Sequence, residues 1–272
     1  MATRKLLIQV FSDIHIELWN KFPQFPVKSK YLILAGDIGQ LNHPSFYKFL
    51  DYCSSNLEKI FYIPGNHEYY SLKKNMNELE LKYKYHIRVR YNNIFYLKNS
   101  VAELDQDINI YGTTFWTNPP FSSRYEAQIY VNVYNYITYL KEGINQVVEL
   151  DVPKVRDLSN DSLKQLQDYL NGENKKTIVV THFPPTRTGT SHQKYLSEKR
   201  ISNLYFAWPD SSLNNFKLNN VLAWISGHTH YSYDFISPEG VRLISNQLGY
   251  RNEPISGDTC FNEDGLYEIN VS

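Results

Sequence analysis

With only two cysteines, Cys53 and Cys260, in unrelated contexts, the chain has neither a disulfide framework nor a thiolate metal site. Both are read as plain thiols. No apolar run approaches the roughly 20 residues that a bilayer-crossing helix needs. The first apolar stretch, residues 6–11, is interrupted by Gln9 and followed by Ser12 and Asp13, so it is also too short and polar for a secretion signal. A soluble, intracellular, cytoplasmic protein is the expectation. An excess of one charge is missing as well. The 28 Lys and Arg balance the 28 Asp and Glu, leaving no global field to draw the chain to long nucleic acid or an anionic membrane. Internal repeats, Gly/Ser linkers and low-complexity tracts are absent. A length of 272 residues with 42% hydrophobic content suffices for one sizeable core, so residues 1–272 are expected to form a single domain.

What the chain does have is a set of short apolar runs that stop abruptly at polar, metal-competent residues. Runs 6–11, 31–35, 60–63, 177–180 and 221–225 lead into Ser12-Asp13, Gly36-Asp37, Pro64-Gly65-Asn66-His67, Thr181-His182 and Ser226-Gly227-His228-Thr229-His230. Runs rich in Ile, Val and Tyr and closed by Gly or Pro read as buried strands followed by loops. Segments 45–55, 72–85, 122–148 and 158–170 read as helices, and the alternation suggests an α/β fold. Further strand-like stretches at 94–97, 108–113, 241–245 and 266–271 exceed one simple sheet, and a two-sheet sandwich flanked by helices would accommodate them. Residues 183–213 form the longest stretch without a clear element, and such loops are often functional.

Each polar block follows a predicted strand, and ligands gather outside the carboxyl ends of strands in open α/β sheets. On extended segments alternate side chains face the same way, which would pair Asp13 with His15 and His228 with His230. Gly36, Gly65 and Gly227 would permit the turns that present them. Imidazoles, carboxylates and one amide oxygen suit divalent cations such as Mn²⁺, Zn²⁺ or Fe²⁺. Seven such groups exceed the needs of one ion and fit two that share a carboxylate, an arrangement suited to in-line displacement at phosphorus.

The blocks Asp13-Ile-His15, Gly36-Asp37, Gly65-Asn66-His67-Glu68, Thr181-His182 and Gly227-His228-Thr229-His230, in this order, resemble the calcineurin-like metallophosphoesterases. The segments Thr113-Thr114-Phe115-Trp116 and Asn246 to Tyr250 look like stretches seen in bacterial and phage members. The resemblance implies a four-layered α-β-β-α sandwich with two mixed sheets and the metal site at the carboxyl ends of strands. It implies that Asp13, His15 and His230 hold one metal, Asn66, His182 and His228 a second, and that Asp37 bridges both. His67 would be the non-ligand histidine that donates a proton or hydrogen bond. Two divalent ions are implied, Mn²⁺ foremost, with Zn²⁺, Fe²⁺/Fe³⁺ or Ni²⁺ as alternatives.

Other residues receive plainer readings. His43 and His86 are read as solvated, and Arg187 and His192 as surface residues of the long loop. Trp116 would fill core volume or stack on a base. Glu68 would orient an imidazole or sit as an acid at a helix start. The expected activity is hydrolysis of a small phosphate ester, with a nucleotide-like phosphodiester ahead of a phosphomonoester or a Ser/Thr phosphoprotein. A non-catalytic binding scaffold would have lost ligand positions, and none is lost here. A nuclease would want a basic groove, and a lipid-precursor hydrolase an apolar membrane-facing cap.

Overall fold

In a strand, successive side chains face opposite sides, so a run in which every residue is apolar is stable only when covered on both faces. The computed structural model, which describes residues 4–19, 24–196, 203–250 and 261–271, meets this requirement with two stacked sheets. Cys260 lies outside the described residues. The chain begins with β1 (Arg4–Phe11), β2 (Tyr31–Ala35), α1 (Pro44–Asn56), β3 (Lys59–Ile63), α2 (Met76–Arg90), β4 (Ile94–Tyr96), β5 (Ser100–Glu103) and β6 (Ile108–Thr113). An excursion follows through α3 (Arg124–Tyr130), α4 (Val133–Tyr136), the hairpin β7 (Thr138–Lys141) and β8 (Gln146–Glu149), and α5 (Val152–Gly172). The chain then returns through β9 (Lys176–Thr181), β10 (Val221–Ile225), β11 (Tyr233–Ile236), β12 (Arg242–Ser245) and β13 (Leu266–Val271).

The first sheet has the order β13-β1-β2-β3-β4 and is parallel except for β13. The second has the order β11-β12-β10-β9-β6-β5, with parallel inner strands and antiparallel edges. Alternation sorts the side chains. Ile8, Val10, Ile33 and Ile63 meet Ile110, Ile178, Val180 and Ile225 between the sheets. Leu32, Leu34, Ile60 and Tyr62 face outward onto Phe46, Phe49, Leu50 and Cys53 of α1 and Tyr83 and Ile87 of α2. On the far side, Val179, Trp224 and Leu243 pack against Leu166 and Leu170 of α5. The result is the α-β-β-α layering. Among the described residues, no helix is long and apolar enough to cross a membrane.

Four expectations need correction. The single helix expected over 122–148 is broken up, with only α3 and α4 helical in its first half. Tyr, Ile, Thr and Val dominate 137–148, and Gly143 (φ 87°) and Asn145 (φ 50°) adopt left-handed turn conformations, so the hairpin β7–β8 forms instead. The helix expected over 72–85 starts at Met76 because Asn75 and Glu78 form a reciprocal capping box, and it runs on to Arg90. The helix expected over 158–170 begins at Val152, where the Asp151 side chain accepts from the Lys154 N–H at 2.8 Å. Residues 183–213 are not devoid of elements, since they carry helical turns at Gln193–Leu196 and Asn203–Phe206.

Candidate metal centre

Every block leaves the carboxyl end of a parallel strand: Asp13 after β1, Asp37 after β2, Asn66 after β3, His182 after β9 and His228 after β10. The side chains do not converge by extended alternation, as the spacing had suggested. Asp13, His15, Asp37, His228 and His230 all have left-handed backbones, with φ of 53°, 48°, 53°, 75° and 52°. Each such non-glycine residue costs about 1–3 kcal/mol, a strain that persists where the surroundings over-determine the conformation. Here neighbouring loops are tied together. The Asp13 N–H donates to the Gly36 carbonyl and the His15 N–H to the Asp37 carbonyl, both at 3.0 Å, and the Gly227 N–H donates to the His182 carbonyl at 2.9 Å.

Of the three glycines, only Gly36 uses a left-handed turn (φ 90°). Gly65 and Gly227 serve close approach instead. A Cβ at Gly65 would lie 2.2 Å from Asp37 Oδ1, and one at Gly227 2.6 Å from Asp13 Oδ2. Glu68 is an acid in the first turn of the short helix His67–Tyr69, as one of its two readings had it, but its role reaches further. Its buried carboxylate accepts from the N–H groups of Asp37 (3.0 Å), Ile38 (2.8 Å) and Gly65 (2.7 Å) and from the Tyr62 hydroxyl (2.7 Å). It thus shapes the Asp37 loop rather than an imidazole. Gln247 does the same for the last block, accepting from the His230 N–H and donating to the Thr229 hydroxyl and the Tyr231 carbonyl.

The side chains form three overlapping groups of potential ligand atoms, each within 4.8 Å: Asp13, His15 and His230; His15, Asp37 and His67; and Asp37, His182 and His228. His15 joins the first two and Asp37 the last two. His15 Nε2 and His230 Nε2 stand 3.1 Å apart, and His230 Nε2 is 3.4 Å from Asp13 Oδ1. His182 Nε2 is 3.0 Å from Asn66 Oδ1 and 3.4 Å from Asp37 Oδ2, while its Nδ1 is 2.9 Å from the Ala35 carbonyl. An Nδ1–H donated to that carbonyl leaves Nε2 free to ligate, the usual outer support of a metal-bound imidazole.

Asp13 and Asp37 are 0% and 2% exposed, and among the described residues their charged neighbours are histidines, with no Lys or Arg in ion-pair contact. Two buried carboxylates without a fixed cation are costly, and divalent ions would relieve that cost, so the residues fit a metal pair. The titration directions agree. Burial opposes ionisation of Asp37, but His182, His67 and His15 outweigh it and hold the carboxyl well below its usual range. Burial would lower His182, yet Asp37 and Asp13 raise it to about 9. His228 is pushed down to about 3 by burial and by His182.

Residues 6–232 match the calcineurin-like phosphoesterase family. The chain belongs to that family. It is accordingly a metallophosphoesterase, a hydrolase of phosphoric ester bonds in a family that is dimetal-dependent and acts on small phosphate esters. An uncharacterized protein, L509, of Acanthamoeba polyphaga mimivirus is 29% identical, with 91% of this chain and 92% of that protein covered. The solved structure of a phosphopantetheinyl hydrolase (PptH) from Mycobacterium tuberculosis superposes with a TM-score of 0.63 at 16% identity, covering 98% of this chain and 96% of that one, a likeness of fold.

In this metallophosphoesterase His67 sits at the edge of the ligand cluster. Its ring stacks on Tyr70 (4.1 Å between centroids), its Nε2 is 3.1 Å from the Tyr250 hydroxyl, and Asp37 Oδ2 is 3.9 Å away. Burial pushes His67 down to about 4, against the pull of Asp37. Asp37 Oδ1 accepts from the His67 N–H at 2.8 Å, which ties the two blocks together. Beside them opens a cavity of about 360 Å³, lined by Asp37, Asn66, His67, His228 and His230 and by a series of aromatic rings. The long loop contributes Ser191, Tyr195, Tyr205 and Phe206 to it, while Arg187 and His192 are not in its lining. Sequence reasoning missed these rings because aromatic residues are common in cores. Only Trp116, read as core-filling or base-stacking, and the quoted segment ending at Tyr250 carried a signal. Trp116 both packs in the core and faces the cavity. His86 is exposed and His43 half-buried at the start of α1. Arg124 lies over the Phe121 and Tyr125 rings, and Arg200 and Arg251 lie outside the described residues.

Proposed function

We propose that the enzyme hydrolyses a small, nucleotide-like phosphodiester with two divalent metals, Mn²⁺ in the first instance. Asp13, His15 and His230 hold one ion, Asn66, His182 and His228 the other, and Asp37 both. The observation that carries this reading is the chain of overlapping ligand groups linked through His15 and Asp37. When bound, the metals supply Lewis-acid charge at the phosphoryl oxygens and make a water acidic enough to attack.

The protein's own residues do the rest. Asp37, fixed by the Gly65–Glu68 loop, holds the two halves in register. His67, backed by the Tyr70 ring and within reach of the Tyr250 hydroxyl, donates a hydrogen bond or proton to a phosphate or leaving oxygen.

The diester preference rests on charge. A dianionic monoester rewards fixed cations, typically Arg forks on its oxygens. Among the described residues no Lys or Arg lines the cavity. The test compares kcat/KM of the Mn²⁺-loaded protein for bis(4-nitrophenyl) phosphate and 4-nitrophenyl phosphate, followed by cyclic nucleotides and a phosphopeptide. The diester is expected to win. Preference for the monoester or phosphopeptide would replace this reading with a phosphatase, and no turnover of any ester would leave a metal-loaded binding scaffold.

A further inference from the structure

The cavity has a wall that chemistry at phosphorus does not need. It starts at the candidate ligands, with the Phe183 ring centroid 4.0 Å from that of His228 and the Trp116 centroid 5.2 Å from Phe183. On the other flank Phe206 stands 6.3 Å from His228 and 6.1 Å from Tyr195. Tyr130 and Tyr205 add two more rings, beside Val131, Val133 and Val155, and Tyr130 is 69% exposed. Trp116 is 2% exposed, and its indole N–H has no hydrogen-bond partner among the described residues. Buried indoles ordinarily find an acceptor, and this one, in a residue that lines the cavity, has none.

Charge narrows the occupant. Among the described residues Asp37 is the only carboxylate in the lining, and no Lys or Arg is there. Among these residues nothing would offset a second phosphate, which favours a neutral group beyond the first. Aliphatic chains are held equally well by Leu and Val, whereas flat rings with an N–H at their edge favour a flat partner that carries an acceptor. The volume of about 360 Å³ lies within the usual range for small-molecule sites.

We propose that this cavity is a binding site for a planar heteroaromatic group of nucleobase type carried by the phosphate ester. It is bounded by Phe183, Trp116, Phe206 and Tyr130, and the Trp116 N–H donates to a ring nitrogen or carbonyl. The phosphate's position rests on the metallophosphoesterase reading of the adjoining ligands. The base site itself is testable without turnover.

Two chromogenic diesters with the same leaving group separate the terms: 4-nitrophenyl thymidine 5′-phosphate and methyl 4-nitrophenyl phosphate. Stacking of one base on aromatic side chains corresponds to roughly 5- to 100-fold in affinity, and kcat/KM should favour the thymidine ester by a factor in that range. Tyr130→Ala, at an exposed rim position that endangers no packing, and Trp116→Phe, which keeps a ring but removes the N–H, should each lower this ratio at least threefold. In parallel, thymidine, adenosine, guanosine and cytidine are titrated by saturation-transfer NMR. Saturable binding weakened by Trp116→Phe is expected for at least one of them. A ratio near one with no nucleoside binding overturns the base site while leaving hydrolysis of the methyl ester as support for the phosphoesterase. No turnover of either ester, with nucleoside binding sensitive to Trp116 and Tyr130, sinks the catalytic reading and keeps the base site.

Discussion

Replacing Asp37 by Asn removes one negative charge while keeping the Oδ1 acceptor for the His67 N–H at 2.8 Å. The loop that holds position 37 is organised by Glu68, whose bonds to main-chain N–H groups and to the Tyr62 hydroxyl use none of the Asp37 side-chain atoms. The fold should survive, and the loss should fall on metal binding. The ligand atoms of Asp37, His182 and His228 lie within 4.8 Å of one another, so an ion held among them would sit close to this carboxylate. At about 4 Å and an effective dielectric of about 20, a unit charge interacts with a divalent ion by roughly 8 kcal/mol. Halving that figure for relaxation and for the remaining amide dipole leaves about 4 kcal/mol, roughly a thousandfold in Kd. The site built on Asp13, His15 and His230 should weaken as well, by roughly tenfold, because it meets Asp37 through the shared His15. The assay is Mn²⁺ titration by calorimetry with elemental analysis of the loaded protein, and circular dichroism as the folding control. Wild type should bind two ions, Asp13→Asn should impair one site, His228→Ala the other, and Asp37→Asn both. Two ions bound by Asp37→Asn with wild-type affinity, or a single ion in well-folded, metal-replete wild type, would refute the shared-carboxylate argument.

Three further outcomes are expected. His67→Ala should lower kcat by roughly 10²- to 10⁴-fold with metal content intact, and by less for an ester with an acidic leaving group; loss of a metal would instead make His67 a ligand, consistent with its place in the middle group. Gly65→Ala puts a methyl 2.2 Å from Asp37 Oδ1 and 2.6 Å from its N, so it should both destabilise the fold by about 1–3 kcal/mol and weaken Mn²⁺ binding; an unchanged Tm and Kd would count against the packed contact between these loops. Asp210 is opposed by burial but held below the usual carboxylate range by the Thr188 N–H, the Thr186 and Thr188 hydroxyls and the Arg187 N–H. The folded form therefore binds this proton less readily than the unfolded one. Its contribution, under about 1 kcal/mol once solvent screening of this exposed group is allowed for, is present above the unfolded pKa of about 3.9 and lost as pH falls through the folded value. Urea titrations at pH 7 and pH 3 should show Asp210→Ala less stable than wild type at the first and the gap narrower at the second, and an equal gap at both would refute it.

The strands 31–35 and 221–225 could be read from the chain because burial on both faces writes itself as an uninterrupted apolar run, and their polar endings mark where the sheet's cover stops. The same local logic located the ligand blocks: Asp, Asn and His directly after such runs have little other reason to recur in that order. The hairpin at 138–149 was misread as helix because its pattern is ambiguous locally, and turn geometry at Gly143 and Asn145 decided it. The edge strands β5 and β11 passed unnoticed because each is half solvated and owes its form to a partner far along the chain. The left-handed backbones of Asp13, His15, Asp37, His228 and His230 could not be inferred, since each is unfavourable alone and is held by hydrogen bonds from other loops. Gly65 and Gly227 carry no visible reason until Asp37 and Asp13 lie against them. The aromatic wall is the extreme case. Tyr70, Trp116, Tyr130, Phe183, Tyr205 and Phe206 come from distant segments, and nothing in their local spacing separates a ring that fills the core from one that faces the cavity. Sequence determined which atoms are available to meet phosphate and metal; tertiary structure alone decided what surrounds them, because that depends on surfaces made only when remote segments pack together.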